Sequence, residues 1–163
     1  VLAVVPILLV VAAIALVSNR VRNAPSDPDV WHVEPTTSTN PSTPNWYRLV
    51  PADAAVERDP DRDGHPPIYD DRAERVARLF DRAAHADGRV EVLAGSYKDG
   101  WVTYVQRSYV FAFPDYVSVR FIDLPEGGST LAIFSRSRYG RSDLGVNEKR
   151  VARWIDSATK LLL

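Results

Sequence analysis

Ser135-Arg136-Ser137-Arg138-Tyr139-Gly140-Arg141-Ser142-Asp143-Leu144-Gly145-Val146-Asn147 gathers three arginines, three serines, two glycines and an aspartate between a strand-like and a helix-like run. The start of a helix offers unpaired backbone N–H groups and the positive end of a dipole, and a guanidinium offers a planar fork of donors. Six basic residues against two acidic ones lie between positions 136 and 153. Arg136, Arg138, Arg141, Ser142, Asp143 and Asn147 are therefore the candidate site for an anion or a partner. The structural alternative is that Arg138 or Arg141 pairs with Asp143 or Asp115 and staples strand to helix. A hydrolase built on Ser135, Ser137 or Ser142 ranks third, because His32, His65 and His85 all lie in other contexts and no base recommends itself.

A second arrangement is Asp59-Pro60-Asp61-Arg62-Asp63-Gly64, with carboxylates at loop positions one, three and five, glycine at six and Asp70 at twelve. That spacing resembles the opening of a calcium loop, so Asp59, Asp61, Asp63 and Asp70 are candidate calcium ligands. Pro66 and Pro67 interrupt its second half, and a solvated acidic linker is the competing reading. No other cofactor is indicated. The chain has no cysteine, which removes disulfides, thiolate catalysis and zinc–thiolate sites. With 20 basic and 21 acidic residues it lacks the net positive charge of a nucleic-acid binder.

The elements that must position these residues follow from pattern. Residues 1–17 are uncharged and apolar, and as a helix they cover roughly 25 Å, so a transmembrane anchor in lipid is expected there. Length and composition favour an anchor over a cleaved secretory signal, for which Ala13-Ile14-Ala15 would be the small-residue site. Residues 18–67 carry nine of the 12 prolines and read as an extended tether. Within it Trp31, Trp46 and Tyr47 are large apolar islands, expected either to lie on the domain surface or to meet a partner or the lipid interface.

Residues 68–163 read as an α+β domain of order α-β-β-β-β-α. Asp71 and Glu74 resemble a capping box, and Ala73, Val76, Ala77, Phe80, Ala83 and Ala84 form a helical stripe. Four strand-like runs follow, 89–96, 101–111, 116–124 and 129–138, joined by connections short enough for an antiparallel meander. Asn147 is the expected N-cap of a last helix. The expectation is a four-stranded antiparallel sheet with two helices on one face, which sends Arg136 and Arg138 to the open face.

Phe113-Pro114-Asp115, Ser135-Arg136-Ser137-Arg138, Gly140, Ser142-Asp143 and Gly145-Val146-Asn147 with Arg150 resemble the signature of an uncharacterised family, domain of unknown function 1499. The resemblance runs from about Ile68 to the C-terminus, and Asp27-Pro28 and Trp31-His32 resemble the membrane-tethered bacterial members. Other members carry Pro-Asn-Cys where this chain has Pro44-Asn45-Trp46, so any role of that cysteine is absent. The resemblance implies bacterial or plastid membranes, no established enzyme activity and no catalytic residue. It favours the periplasmic or lumenal side, whereas Arg20 and Arg22 after the span favour the cytoplasm.

Taken together, these features lead us to expect a non-catalytic, single-span accessory subunit of the bacterial inner membrane. Its domain would face the periplasm and dock on a larger respiratory, photosynthetic or envelope complex. A binding module for an anionic small molecule or lipid headgroup is the alternative.

Overall fold

The computed structural model describes residues 4–163, so the first three residues of the expected anchor lie outside the described residues. Helix α1, Val4–Asn23, contains a 19-residue stretch, Val5–Asn23, long and apolar enough to cross a membrane. At 1.5 Å per residue that stretch is about 28 Å long. It runs six residues past the expected end of the anchor, carrying Arg20 and Arg22 in its last turn.

The fold is α+β. Helix α2 is a single turn, Pro28–Trp31, capped by the Asp27 carboxylate. Strands β1 (Trp46–Leu49) and β2 (Asp63–Gly64) follow, then α3 (Ala73–Ala86), β3 (Val90–Ser96), β4 (Trp101–Arg107), β5 (Pro114–Asp123), β6 (Ser129–Ser137) and α4 (Val146–Leu162). The strands form one sheet in the order β2-β1-β6-β5-β4-β3, antiparallel except for the β1–β2 pair.

The sheet thus has six strands where four were expected. The added pair comes from the segment read as a tether. Trp46–Leu49 pairs with β6 in the register Trp46↔Arg136 to Leu49↔Ile133, and β2 lies outside it. Prolines at 35, 41, 44 and 51 leave this four-residue window free of the residue that would deny it ladder donors.

The helix layout differs as well. Helices α3 and α4 pack on one face through Val76, Phe80, Ala84, Val151, Trp154 and Ala158, all at most 1% exposed. Trp154 is the centre of that layer, edge-on to Phe80 and Tyr104 at 6.0 and 5.7 Å, with its indole N–H on Asp87. The opposite face is covered too, by α2 and the chain around it. Strand β6 shows the result: eight of its nine residues are buried, as befits a strand covered on both sides.

Both expected helix caps are supplied differently. The Ala73 N–H donates to Asp123 at the end of β5, not to Asp71. At α4 the Asp143 carboxylate accepts the N–H groups of Gly145 and Asn147, which places Asn147 inside the first turn and frees its amide for the interior.

Candidate anion-binding site

The arginine-serine junction divides between the two faces of the sheet. On the helix face Ser135 and Asn147 are fully buried, and Arg150 is 3% exposed. The Asn147 Oδ1 accepts from Ser135 Oγ and Arg150 Nη1 at 2.6 and 2.7 Å. Its Nδ2 donates to Asn45 O, Ser137 Oγ and Asp143 Oδ2. Arg150 also donates to Gln106 and pairs with Asp115. This is the staple anticipated between strand and helix, made by Arg150 and Asn147 instead of Arg138 or Arg141. The helix start is already filled by the chain's own Asp143, while Arg141 and Ser142 stand exposed beside it.

Changing Asn147 to alanine removes five side-chain hydrogen bonds from a buried network. The variant is therefore expected to lose about 2–3 kcal/mol of stability in urea unfolding.

On the opposite face, residues 25–34 form a strap. Trp31 stacks on Tyr116 with ring centres 4.0 Å apart, and His32 stacks on Trp101 at 3.8 Å. His32 Nδ1 lies 2.8 Å from Thr103 Oγ1, Glu34 pairs with Arg120, and Arg138 Nη1 donates to Pro25 O. Burial first, and then the Arg120 guanidinium, hold the His32 pKa below its ordinary value, with Glu34 opposing.

A lowered folded-state pKa means that His32 contributes fully above about pH 6.5, the ordinary imidazole value. That contribution is lost as the pH falls from there through the folded-state value. Between pH 7.5 and 5.5 the wild type is expected to lose more stability than His32→Gln, measured by urea midpoint with tryptophan fluorescence.

Between strap and sheet lies a cavity of about 580 Å³. Arg136 and Arg138 line it together with Trp31, Val33 and Phe134 on the apolar side. Thr37 and Thr39 line the polar side and are exposed. Arg136 is 7% exposed. Its Nη2 donates to Trp31 O and Ser118 Oγ at 2.7 and 3.2 Å. Its Nε is buried with no partner among the described residues. The guanidinium lies 4.7 Å from the Phe134 ring centre and 5.5 Å from that of Trp31. No carboxylate pairs with it among the described residues, and desolvation drives its pKa down to about 10. Glu34, the acidic lining residue, is spent on Arg120 and Thr36.

Arg48 provides the contrast on the same face. It is fully buried, and its guanidinium carbon is 5.3 Å from the Phe134 ring centre. Yet it donates to both Asp63 oxygens at 2.6 and 2.9 Å, and to Ser38 O, Asn40 Oδ1 and Glu57 O. One guanidinium is saturated; its neighbour has no counter-charge.

Arg48 also accounts for the acidic loop. Asp63 is consumed by Arg48, and Asp59 by Arg62 and the Asp61 N–H, so two of the first three candidate calcium ligands turn toward protein donors, while Asp61 is exposed. Asp70 is exposed in another segment, and the described residues hold no group of three acids or histidines placed for a metal. The tether aromatics pack inward: Trp46 is buried edge-on to Phe134 at 5.6 Å, Tyr47 is half-buried against the core, and Trp31 lies on Tyr116.

Arg48, Glu34 and Arg150 were not among the expected site residues. An arginine within a Pro-rich stretch is a signal, but its partner 15 positions on is visible only once β1 and β2 pair.

Neither the curated proteins nor the solved structures give a match to the chain. The sequence model of one family covers residues 36–157, well over half of the chain and most of the cavity lining, while the strap residues 25–34 precede it. The chain belongs to the family described as Protein of unknown function (DUF1499).

Proposed function

We propose that this protein is a membrane-anchored binding module that holds an anionic group, a phosphate or carboxylate, over Arg136. The observation that carries this reading is a cation 7% exposed, without a carboxylate, on the wall of a 580 Å³ cavity. An unpaired buried charge costs several kcal/mol even after the protein relaxes around it. Contacts with two aromatic rings return about 0.5–2 kcal/mol each, and the bonds to Trp31 O and Ser118 offset part of the rest. An anion entering the cavity would supply the missing counter-charge in a low-dielectric setting.

The lining also argues for binding over reaction. It offers guanidinium and hydroxyl donors, while its acid, Glu34, is held by Arg120. The apolar wall of Trp31, Val33 and Phe134 suits a ligand with a short hydrocarbon or ring portion beside its charge. Helix α1 would keep the module at a membrane, where a lipid headgroup and a soluble anion are both within reach.

Thermal denaturation of the full chain in mild detergent tests this. Ligand at 100 times its Kd adds about 2.7 kcal/mol, a Tm rise of roughly 5–10 °C for a chain of this size. Inorganic phosphate, acetate and short-chain phosphatidylglycerol are the probes. A rise with phosphate or acetate identifies a soluble anion, and a rise with the lipid alone identifies a headgroup. No rise with any probe, or an equal rise in Arg136→Met, contradicts the reading.

A further inference from the structure

A separate feature lies at the junction of α1 with the domain. The exposed apolar residues of α1 run to Val17, and Val21 is 7% exposed where the last turns meet the domain. Between them Ser18 Oγ donates to Val110 O at 3.0 Å. Ser18 is one residue past Val17, about 1.5 Å further along the helix axis. The loop 108–113 is therefore fixed at the level where the apolar surface of α1 ends.

That loop is built to present its tip outward. Ser108 N donates to Phe113 O, Phe113 N donates to Ser108 Oγ, and Arg107 Nη1 donates to Ala112 O. These bonds hold Ala112 at φ +56°, a left-handed conformation costing an alanine roughly 1–2 kcal/mol. Tyr109 and Val110 at the tip are 85% and 60% exposed. Phe111 stacks on Phe113 at 5.2 Å, and Phe113 meets Tyr139 at 5.3 Å, which extends the aromatic surface to the end of the sheet. Arginines are interleaved: Arg89 lies over Tyr109 at 3.1 Å and Arg138 over Tyr139 at 5.4 Å, with Arg20 and Arg22 on the adjoining helix.

Aromatic residues mixed with arginine at the end of an apolar helix match the chemistry of a bilayer interface. The rings sit among headgroups and the guanidinia meet lipid phosphates. We infer that the loop 108–113, with Tyr139 and the surrounding arginines, rests in the headgroup layer of the membrane that α1 enters. The inference depends on α1 lying in the bilayer and is independent of any ligand in the Arg136 cavity. It fixes the domain against the bilayer by a second contact, so that the strap and its cavity sit close to the lipid surface.

The absence of cysteine makes the test direct, since single-cysteine spin labels need no background removal. Val110 makes the Ser18 contact through its backbone carbonyl, so Val110→Cys leaves it intact. The full chain is reconstituted in nanodiscs of phosphatidylcholine and phosphatidylglycerol with a label at Val110→Cys, at Leu9→Cys in α1, or at Glu126→Cys in the exposed turn at the opposite end of the sheet. Relaxation by oxygen, which concentrates in lipid, is compared with relaxation by a water-soluble nickel chelate. The expected result is an oxygen-to-nickel ratio several-fold higher at 110 than at 126. A ratio at 110 equal to that at 126, with the label at 9 reading lipid, overturns the loop contact. A label at 9 reading water overturns the anchor itself, and the inference with it.

Discussion

Arg48→Met is expected to lower the unfolding free energy by about 3–5 kcal/mol, as befits removal of one partner from a buried ion pair. The side chain of Asp63 is 2% exposed and would be left as an uncompensated charge. The loss extends beyond the pair. Arg48 also binds Ser38 O and Asn40 Oδ1 in the stretch before β1 and Glu57 O between β1 and β2, and so ties both segments to the sheet. The double variant Arg48→Met/Asp63→Leu recovers the part owed to the stranded carboxylate and leaves the part owed to those carbonyls. Urea unfolding of the two variants separates the terms. The single variant should also become susceptible to proteolysis between residues 36 and 64, because local opening exposes that segment first.

The second large effect has the opposite character. Arg136→Met removes a buried cation that has no carboxylate, so the desolvation cost disappears while the ring contacts remain available to the methionine. In anion-free buffer the variant is expected to be within about 1 kcal/mol of the wild type, or more stable. Its ligand affinity, by contrast, is expected to fall about thirtyfold or more, since truncating one partner of a buried charged contact costs about 2–5 kcal/mol. Two buried arginines on one sheet face are thus expected to respond in opposite ways. Arg48→Met should cost stability, and Arg136→Met should cost binding.

The central strands and the two amphipathic helices were legible because their signals are local. Alternation along Ser129–Ser137 and the stripe from Val76 to Ala84 can be read without knowing what lies opposite. The junction's role as a staple was also visible in its composition, although the residues that make it are Arg150 and Asn147. The strap and the outer strands were not legible, and for physical reasons. Trp46 pairs with Arg136 ninety positions away, and nothing in a four-residue run flanked by prolines announces a partner at that separation. Proline density marks an extended chain but says nothing about whether the chain is solvated or laid on a sheet. The open face expected for Arg136 and Arg138 was consequently closed over, and it is that closure by Trp31, His32 and Glu34 which turns exposed arginines into a cavity wall. The acidic loop was misleading in a similar way, because a calcium-like spacing of carboxylates serves equally well to receive Arg48 and Arg62.

The most direct test of the central claim is a calorimetric titration of inorganic phosphate into the full-length wild type and Arg136→Met in mild detergent. The account predicts one saturable site in the wild type and an affinity about thirtyfold or more weaker in the variant. Equal affinities in the two proteins, or no heat from the wild type with phosphate and none with acetate or short-chain phosphatidylglycerol titrated in its place, would contradict it.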